Sequence, residues 1–228
     1  MYRYVFILTL AGAFALVGCS ERDINIDALP YDLQQQYEQA GMMKKEGFEM
    51  AVEAFNVRNY ERAIEILRSL NVTGQDKAYV LNLQGAAYTK LKNFDRARES
   101  FENALGHASD FFPPRFNLAE IEFLQGRYTE ALEKFTQLAQ SAGVSDLLVF
   151  KIYLSNLKLG DTITARRLLD RMPRLGSTPI WYYASAAWEF NNGNMRAGRN
   201  YVRIARELYP AERDRQLYEE TLRDLGWL

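Results

Sequence analysis

The chain has 228 residues, with 28 Lys and Arg against 29 Asp and Glu and a formal net charge of −1. That balance excludes the strongly basic footprint of a nucleic-acid-binding domain. A single cysteine, Cys19, and a single histidine, His107, exclude disulfide staples and the usual zinc ligand sets, so the domain must be held by packing.

The chain opens with "MYRYVFILTLAGAFALVG", which carries one charge, at Arg3, and an apolar run from Val5 to Val17. The run is too short to span a bilayer comfortably and reads as a secretory signal. Its last residues with the cysteine, Leu16-Val17-Gly18-Cys19, resemble the bacterial lipobox, in which cleavage before the cysteine leaves it as a lipidated N-terminus. The resemblance implies lipidation at Cys19. One acyl chain anchors only marginally, at about 0.8 kcal/mol per buried methylene, whereas three hold a protein durably on a membrane. The expected organisation is therefore a lipoprotein signal peptide at 1–18, a lipidated cysteine and tether at 19–30, a repeat array at 31–210 and a capping helix at 211–228.

Past the tether "SERDINIDALP", related units recur: "RNYERAIEIL" from Arg58, "KNFDRARESF" from Lys92, "GRYTEALEKF" from Gly126 and "GDTITARRLL" from Gly160. Their alanines, Ala63, Ala97, Ala131 and Ala165, stand thirty-four residues apart, the period of a solenoid of stacked supersecondary units. Each alanine opens an amphipathic helix, as where Ala97, Phe101 and Ala104 share a face. A second apolar-periodic segment precedes each turn; in the second unit it carries Leu81, Gly85 and Tyr88, with Gly85 permitting a close partner helix. The period thus predicts antiparallel helix pairs.

These units resemble the tetratricopeptide repeat over roughly Lys44 to Pro210, the second unit matching best through Gly85, Tyr88, Ala97, Phe101 and Ala104. The first and third units keep the small residue as Ala51 and Ala119 but carry Ala54 and Glu122 in place of the aromatic. The fourth has Tyr153 where a small residue is expected, which predicts helices set farther apart or tilted. The fifth is slipped by one residue: Trp181, Ala184, Ser185 and Trp188 fit the first helix, "ARELYP" from Ala205 is out of step, and a longer turn around Asn191 to Gly193 would reconcile them. The final segment, "AERDRQLYEETLRDLG", reads as a helix with Leu217, Thr221, Leu222 and Leu225 inward and Gly226 as its stop. The resemblance implies an all-α fold, a right-handed superhelical solenoid of about five helix pairs with a C-terminal capping helix.

By the same resemblance the concave wall is lined by the first helix of each pair. Fifteen residues before each anchor alanine stand Phe48, Asn82, Phe116 and Phe150, with Tyr182 or Tyr183 following in the slipped fifth unit. Eight before stand Phe55, Thr89, Phe123 and Leu157, with Phe190 nearby. Two aromatic-rich rows along one wall suit an extended or helical peptide. A second candidate is the stripe Arg196, Arg199, Arg203 and Arg206, which shares one helix face and suits an anionic partner. From Asp146 onward thirteen basic residues face ten acidic ones, so this end of the chain is the positive one.

Catalysis finds little support. His107 sits in "GHASD", expected to be an inter-repeat loop, and Ser109 and Asp110 beside it make a triad only if they converge in space. No glycine-rich phosphate loop or metal-ligand cluster is present, and no cofactor is expected. The reading is a non-enzymatic scaffold that binds an envelope protein or peptide segment through the groove; a lipid or glycan carrier using the same groove is the alternative. Ser20 follows the cysteine, and by resemblance to enterobacterial lipoproteins this points to the periplasmic face of the outer membrane.

Overall fold

A computed structural model of the chain describes residues 45–142 and 145–228. Among them lie eleven helices and no strand: α1 (Lys45–Asn56), α2 (Tyr60–Ser69), α3 (Gly74–Lys90), α4 (Phe94–His107), α5 (Phe112–Leu124), α6 (Tyr128–Ala142), α7 (Asp146–Leu159), α8 (Thr162–Arg171), α9 (Ile180–Asn191), α10 (Met195–Leu208) and α11 (Glu212–Asp224). The described residues divide into two compact units, with the boundary between Ile121 and Glu122. In the first, α1 packs on α2, α3 on α4, and α3 also on both preceding helices. In the second, α7 packs on α6 and α8, α9 on α10, and α9 also meets α7, α8 and α11. Within each unit most of these contacts join helices adjacent in sequence, as stacked helix pairs require.

One turn closes the first helix of each of the five described pairs, and it occurs again at Gly226 (φ 73°) after α11. A residue with left-handed backbone, Arg58 (φ 62°), Lys92 (58°), Gly126 (76°), Gly160 (81°) or Gly193 (82°), reverses the chain after the first helix of each pair. The next residue donates its N–H five residues back: Asn59 to Ala54, Asn93 to Tyr88, Arg127 to Glu122, Asp161 to Asn156 and Asn194 to Glu189, at 2.8–3.0 Å. This bond is of the kind that closes a helix C-terminus. The same residue then starts the second helix, with the Asn59, Asn93 and Asp161 side chains accepting from the N–H of Arg62, Arg96 and Thr164.

These turns settle the register of the fifth unit and correct the expected longer loop. Gly193 falls thirty-three residues after Gly160, and the gap between α9 and α10 has the same three residues as that between α1 and α2. The missing residue therefore lies upstream of the turn. Gly198, not Arg199, takes the anchor position, and Ala186, not Ser185, takes the small position of the first helix; Gly198 and Ala186 are both buried.

Close approach explains the small residues. A Cβ on Gly85 would stand 2.6 Å from the Phe101 ring, and Ala97, Phe101 and Ala104 have no exposed surface. At Gly198 a Cβ would collide with the Phe190 ring. In the fourth unit Tyr153 is fully buried and its hydroxyl donates to the Ala184 carbonyl of α9 at 2.8 Å, so its bulk is used to join successive pairs. In the third, Glu122 replaces the aromatic with an ion cluster: its buried carboxylate accepts from Arg127 Nε at 2.6 Å and Lys134 Nζ at 2.8 Å.

Gly85→Ala is expected to destabilise the chain by about 1–3 kcal/mol through overpacking against Phe101. Lys92→Gly, which relieves a left-handed non-glycine residue at an exposed turn, is expected to raise stability by up to about 1 kcal/mol. Urea unfolding of the two variants checks both signs.

Candidate functional site

The positions expected to line an open aromatic wall are mostly core. Phe55, Asn82, Phe116, Phe123, Phe150, Leu157, Tyr183 and Phe190 are all buried, each with 2% or less of its surface exposed. Phe48 and Thr89 are half-buried. The expectation of exposed rows is thus corrected, and the contacts give the reason. The residues eight before the anchors turn inward at the end of the first helix and meet the aromatic that opens the second. Phe55 meets Tyr60 edge-to-face at 5.1 Å, and Phe123 meets Tyr128 at 5.3 Å. Asn82 accepts a hydrogen bond from Asn117 Nδ2 at 3.1 Å, satisfying one buried amide with another. Phe116 stands 6.3 Å from Phe112.

In the second unit the wall is covered by the chain's own C-terminal segment. Tyr218 of α11 lies edge-on to Phe150 of α7 at 5.0 Å and stacks on Tyr183 of α9 at 5.4 Å with planes 8° apart. Lys151 of α7, itself buried and 5.0 Å over the Phe123 ring, donates to Thr221 Oγ1 at 2.8 Å. Beyond α11, Trp227 stacks on Phe190 at 6.0 Å and lies under the Lys158 ammonium at 5.4 Å. A helix that only closed the end of a stack would need α9 and α10; α11 also reaches α7.

Glu219 is the electrostatic centre of this contact. Its buried carboxylate receives both Nε and Nη2 of Arg206 at 2.9 Å, the Tyr183 hydroxyl at 2.9 Å, Arg223 at 2.9 Å and Arg215 at 3.2 Å. Burial alone would raise its pKa, but the bonds from Arg206, Tyr183 and Arg215 outweigh it and hold the carboxyl at about 2. Burial in turn pushes the Tyr183 and Tyr218 hydroxyls well above the ordinary tyrosine range, so both stay protonated and Tyr183 remains a donor.

The arginine stripe divides in two. Arg206 is engaged by Glu219, and Arg203 pairs with Glu207 at 2.6 Å and with Asn200 at 2.9 Å. Arg196 and Arg199 are exposed in the first half of α10. On α8, Arg166 pairs with Asp170 at 3.0 Å and lies 5.7 Å from the Trp188 ring, while Arg167 and Arg171 are exposed. His107 is the last residue of α4, not part of a loop, where a basic group complements the helix dipole. Asp110 is fully exposed and pairs with Arg115 at 3.4 Å. No acidic, histidine or cysteine cluster suited to a metal occurs among the described residues. Cys19 lies outside them.

Sequence reasoning missed Tyr218, Glu219 and Trp227. The signal was present: Tyr218, Thr221, Leu222 and Leu225 form an i, i+3, i+4, i+7 stripe, of which Tyr218, Thr221 and Leu222 are buried, whereas Leu217 is only half-buried.

The solved structures place this architecture. A tetratricopeptide repeat protein from Parabacteroides merdae superposes with a TM-score of 0.53 at 18% identity, over 85% of this chain and 75% of that one. The fold is that of a tetratricopeptide repeat protein. MamA from strain AMB-1 also aligns, with a TM-score of 0.47 and 18% identity over 72% of this chain and 90% of that one. No protein-family model matches the chain, and no curated protein does. In this tetratricopeptide fold the first helices of the fourth and fifth pairs, α7 and α9, carry the aromatic face that holds α11.

Because the folded-state pKa of Glu219 lies below its ordinary value of 4.5, its contribution is complete above that pH and is lost as pH falls toward about 2. Acid titration followed by Trp227 fluorescence is expected to show α11 loosening in that window, and Glu219→Gln is expected to remove the dependence. Phe150→Glu, which buries a charge without a partner, is expected to unfold the second unit.

Proposed function

We propose that the protein is an exported, lipidated scaffold that binds another envelope protein and holds it near the membrane. The observation that carries this reading is the face of α7 and α9, which takes up an amphipathic helix by ring stacking on Phe150 and Tyr183 and by pairing a carboxylate with Arg206. That is helix-in-groove chemistry, one of the recurring modes of peptide recognition. The fold supports a protein-interaction role at this level; the envelope location and the membrane anchor rest on the signal and lipobox ahead of Cys19. By the same resemblance, Ser20 favours the periplasmic face of the outer membrane.

The buried wall changes how recognition must work. A partner reaching Phe150, Tyr183 or Phe190 has to compete with α11, whereas Phe48 and Thr89 on α1 and α3 are half-accessible as they stand. The lipid or glycan carrier has less support, since the aromatic side chains it would use stack on protein rings. A second surface is favoured by one observation: Arg196 and Arg199 are exposed on α10, while the only acid on that helix, Glu207, pairs with Arg203. They suit an anionic partner.

Cys19→Ser is expected to move the protein from the membrane fraction to the soluble fraction, and full membrane retention would overturn the anchor. Cross-linking in intact envelopes is expected to capture one defined set of proteins with the wild type and with an Arg196→Glu, Arg199→Glu variant alike. Loss of that set in the variant would move recognition to the basic face; capture of none by either would put the carrier reading ahead.

A further inference from the structure

The helix α11 occupies a site larger than an end cap needs. Its own contacts run from Phe150 and Lys151 on α7 to Tyr183 on α9, and Trp227 just beyond it adds Lys158 and Phe190. The grip joins stacked rings to a few polar contacts. Of its thirteen residues only Tyr218, Glu219, Thr221 and Leu222 are buried. Two of the three guanidinium groups on Glu219, Arg215 and Arg223, belong to α11 itself, so Arg206 and the Tyr183 hydroxyl are the groups that hold this carboxylate from across the interface. The Arg206 side chain is half exposed, at 49%, which leaves that ion pair open to competing ions and to salt.

Tyr209, Pro210 and Ala211 join α10 to α11; Arg215 of α11 donates to the Tyr209 and Pro210 carbonyls at 2.9 and 3.1 Å, while Ala211 offers no side-chain cap to the new helix. The α9–α10 pair beneath is closed differently, by the Phe190 ring seated against Gly198 with no room for a Cβ. Steric interlock holds that pair together, while rings and charges hold α11 on top of it.

We infer that the α7/α9 face is a helix-binding site whose resident occupant, α11 with Trp227, is displaced by a partner helix of the same chemistry. Such a helix presents an aromatic residue to stack between Phe150 and Tyr183, a carboxylate beside it for Arg206 and Tyr183, and a second aromatic for Lys158 and Phe190. This deepens the scaffold reading and rests on it: α11 sets the threshold that a partner must exceed. The apparent affinity of any partner is reduced by the fraction of molecules in which α11 is seated.

The test uses the full-length chain with Cys19→Ser and, as probe, a fluorescent synthetic peptide of residues 211–228. Tyr218→Ala with Glu219→Gln in the protein weakens the resident helix and leaves the face untouched. Anisotropy is expected to show the peptide binding this variant about tenfold or more tighter than the wild type, and addition of Arg206→Glu is expected to abolish the gain. Hydrogen exchange on the wild type stands independently of that variant's folding: amides of α11 are expected to exchange faster than those of α7 and α9. Equal protection of α11 and α9, or no gain in peptide affinity for a folded variant, would overturn the inference and leave α11 a fixed cap. A wild-type dimer with α11 exchanged between copies would assign the face to a second copy and overturn the partner. None of these readouts depends on finding an envelope protein, so this inference can fail while the scaffold reading stands.

Discussion

Every helix pair in this chain depends on a close approach between a small residue and its partner helix. Gly85 facing Phe101 states the constraint most sharply, because a single methyl group there would overlap the ring. The anchor alanines Ala63, Ala97, Ala131 and Ala165 are wholly buried for the same reason. With neither disulfides nor metal clusters available in the described part, this repeated contact is the main source of order. Stability in such an array is close to a sum of pair and neighbour terms, so loosening one approach weakens its own pair and the contact with the next.

The aromatic residues follow from that constraint. A close-packed pair brings the end of its first helix against the start of its second, which turns Phe55 and Phe123 inward onto Tyr60 and Tyr128. In the second unit the remaining apolar face, Phe150, Tyr183 and Phe190, is too large to leave in water, and α11 with Trp227 covers it. Glu219 then makes the contact specific: a buried carboxylate is tolerated only where donors converge, and Arg206 and Tyr183 supply them from the correct side. Recognition and self-coverage draw on the same atoms.

The repeat was legible because it is written in residue size. Alanines at a fixed interval and glycine opposite phenylalanine carry both the pairing and its period. The turns were legible only in part: Gly126, Gly160 and Gly193 announce a left-handed residue, but Arg58 and Lys92 adopt the same backbone with nothing in their chemistry to mark it. The register of the fifth unit was hidden for a different reason, a residue missing upstream of its turn, which the hydrogen bond from Asn194 to Glu189 locates. Exposure was the poorest inference. Phe55 and Phe123 are covered by the aromatic that opens the next helix, whereas what covers Phe150 and Tyr183 comes from much further along the chain, as in the Lys151 to Thr221 bond seventy residues apart. Local periodicity holds no record of such a contact.

The central claim is that α11 lies across α7 and α9 and not only against the terminal pair. Nuclear Overhauser contacts in the full-length Cys19→Ser protein with selectively labelled aromatic rings test it most directly. The account predicts cross-peaks from Tyr218 to both Phe150 and Tyr183, and from Trp227 to Phe190. Cross-peaks from Tyr218 to Tyr183 alone, with Phe150 free of contact to α11, would contradict it and restore an open aromatic face on α7.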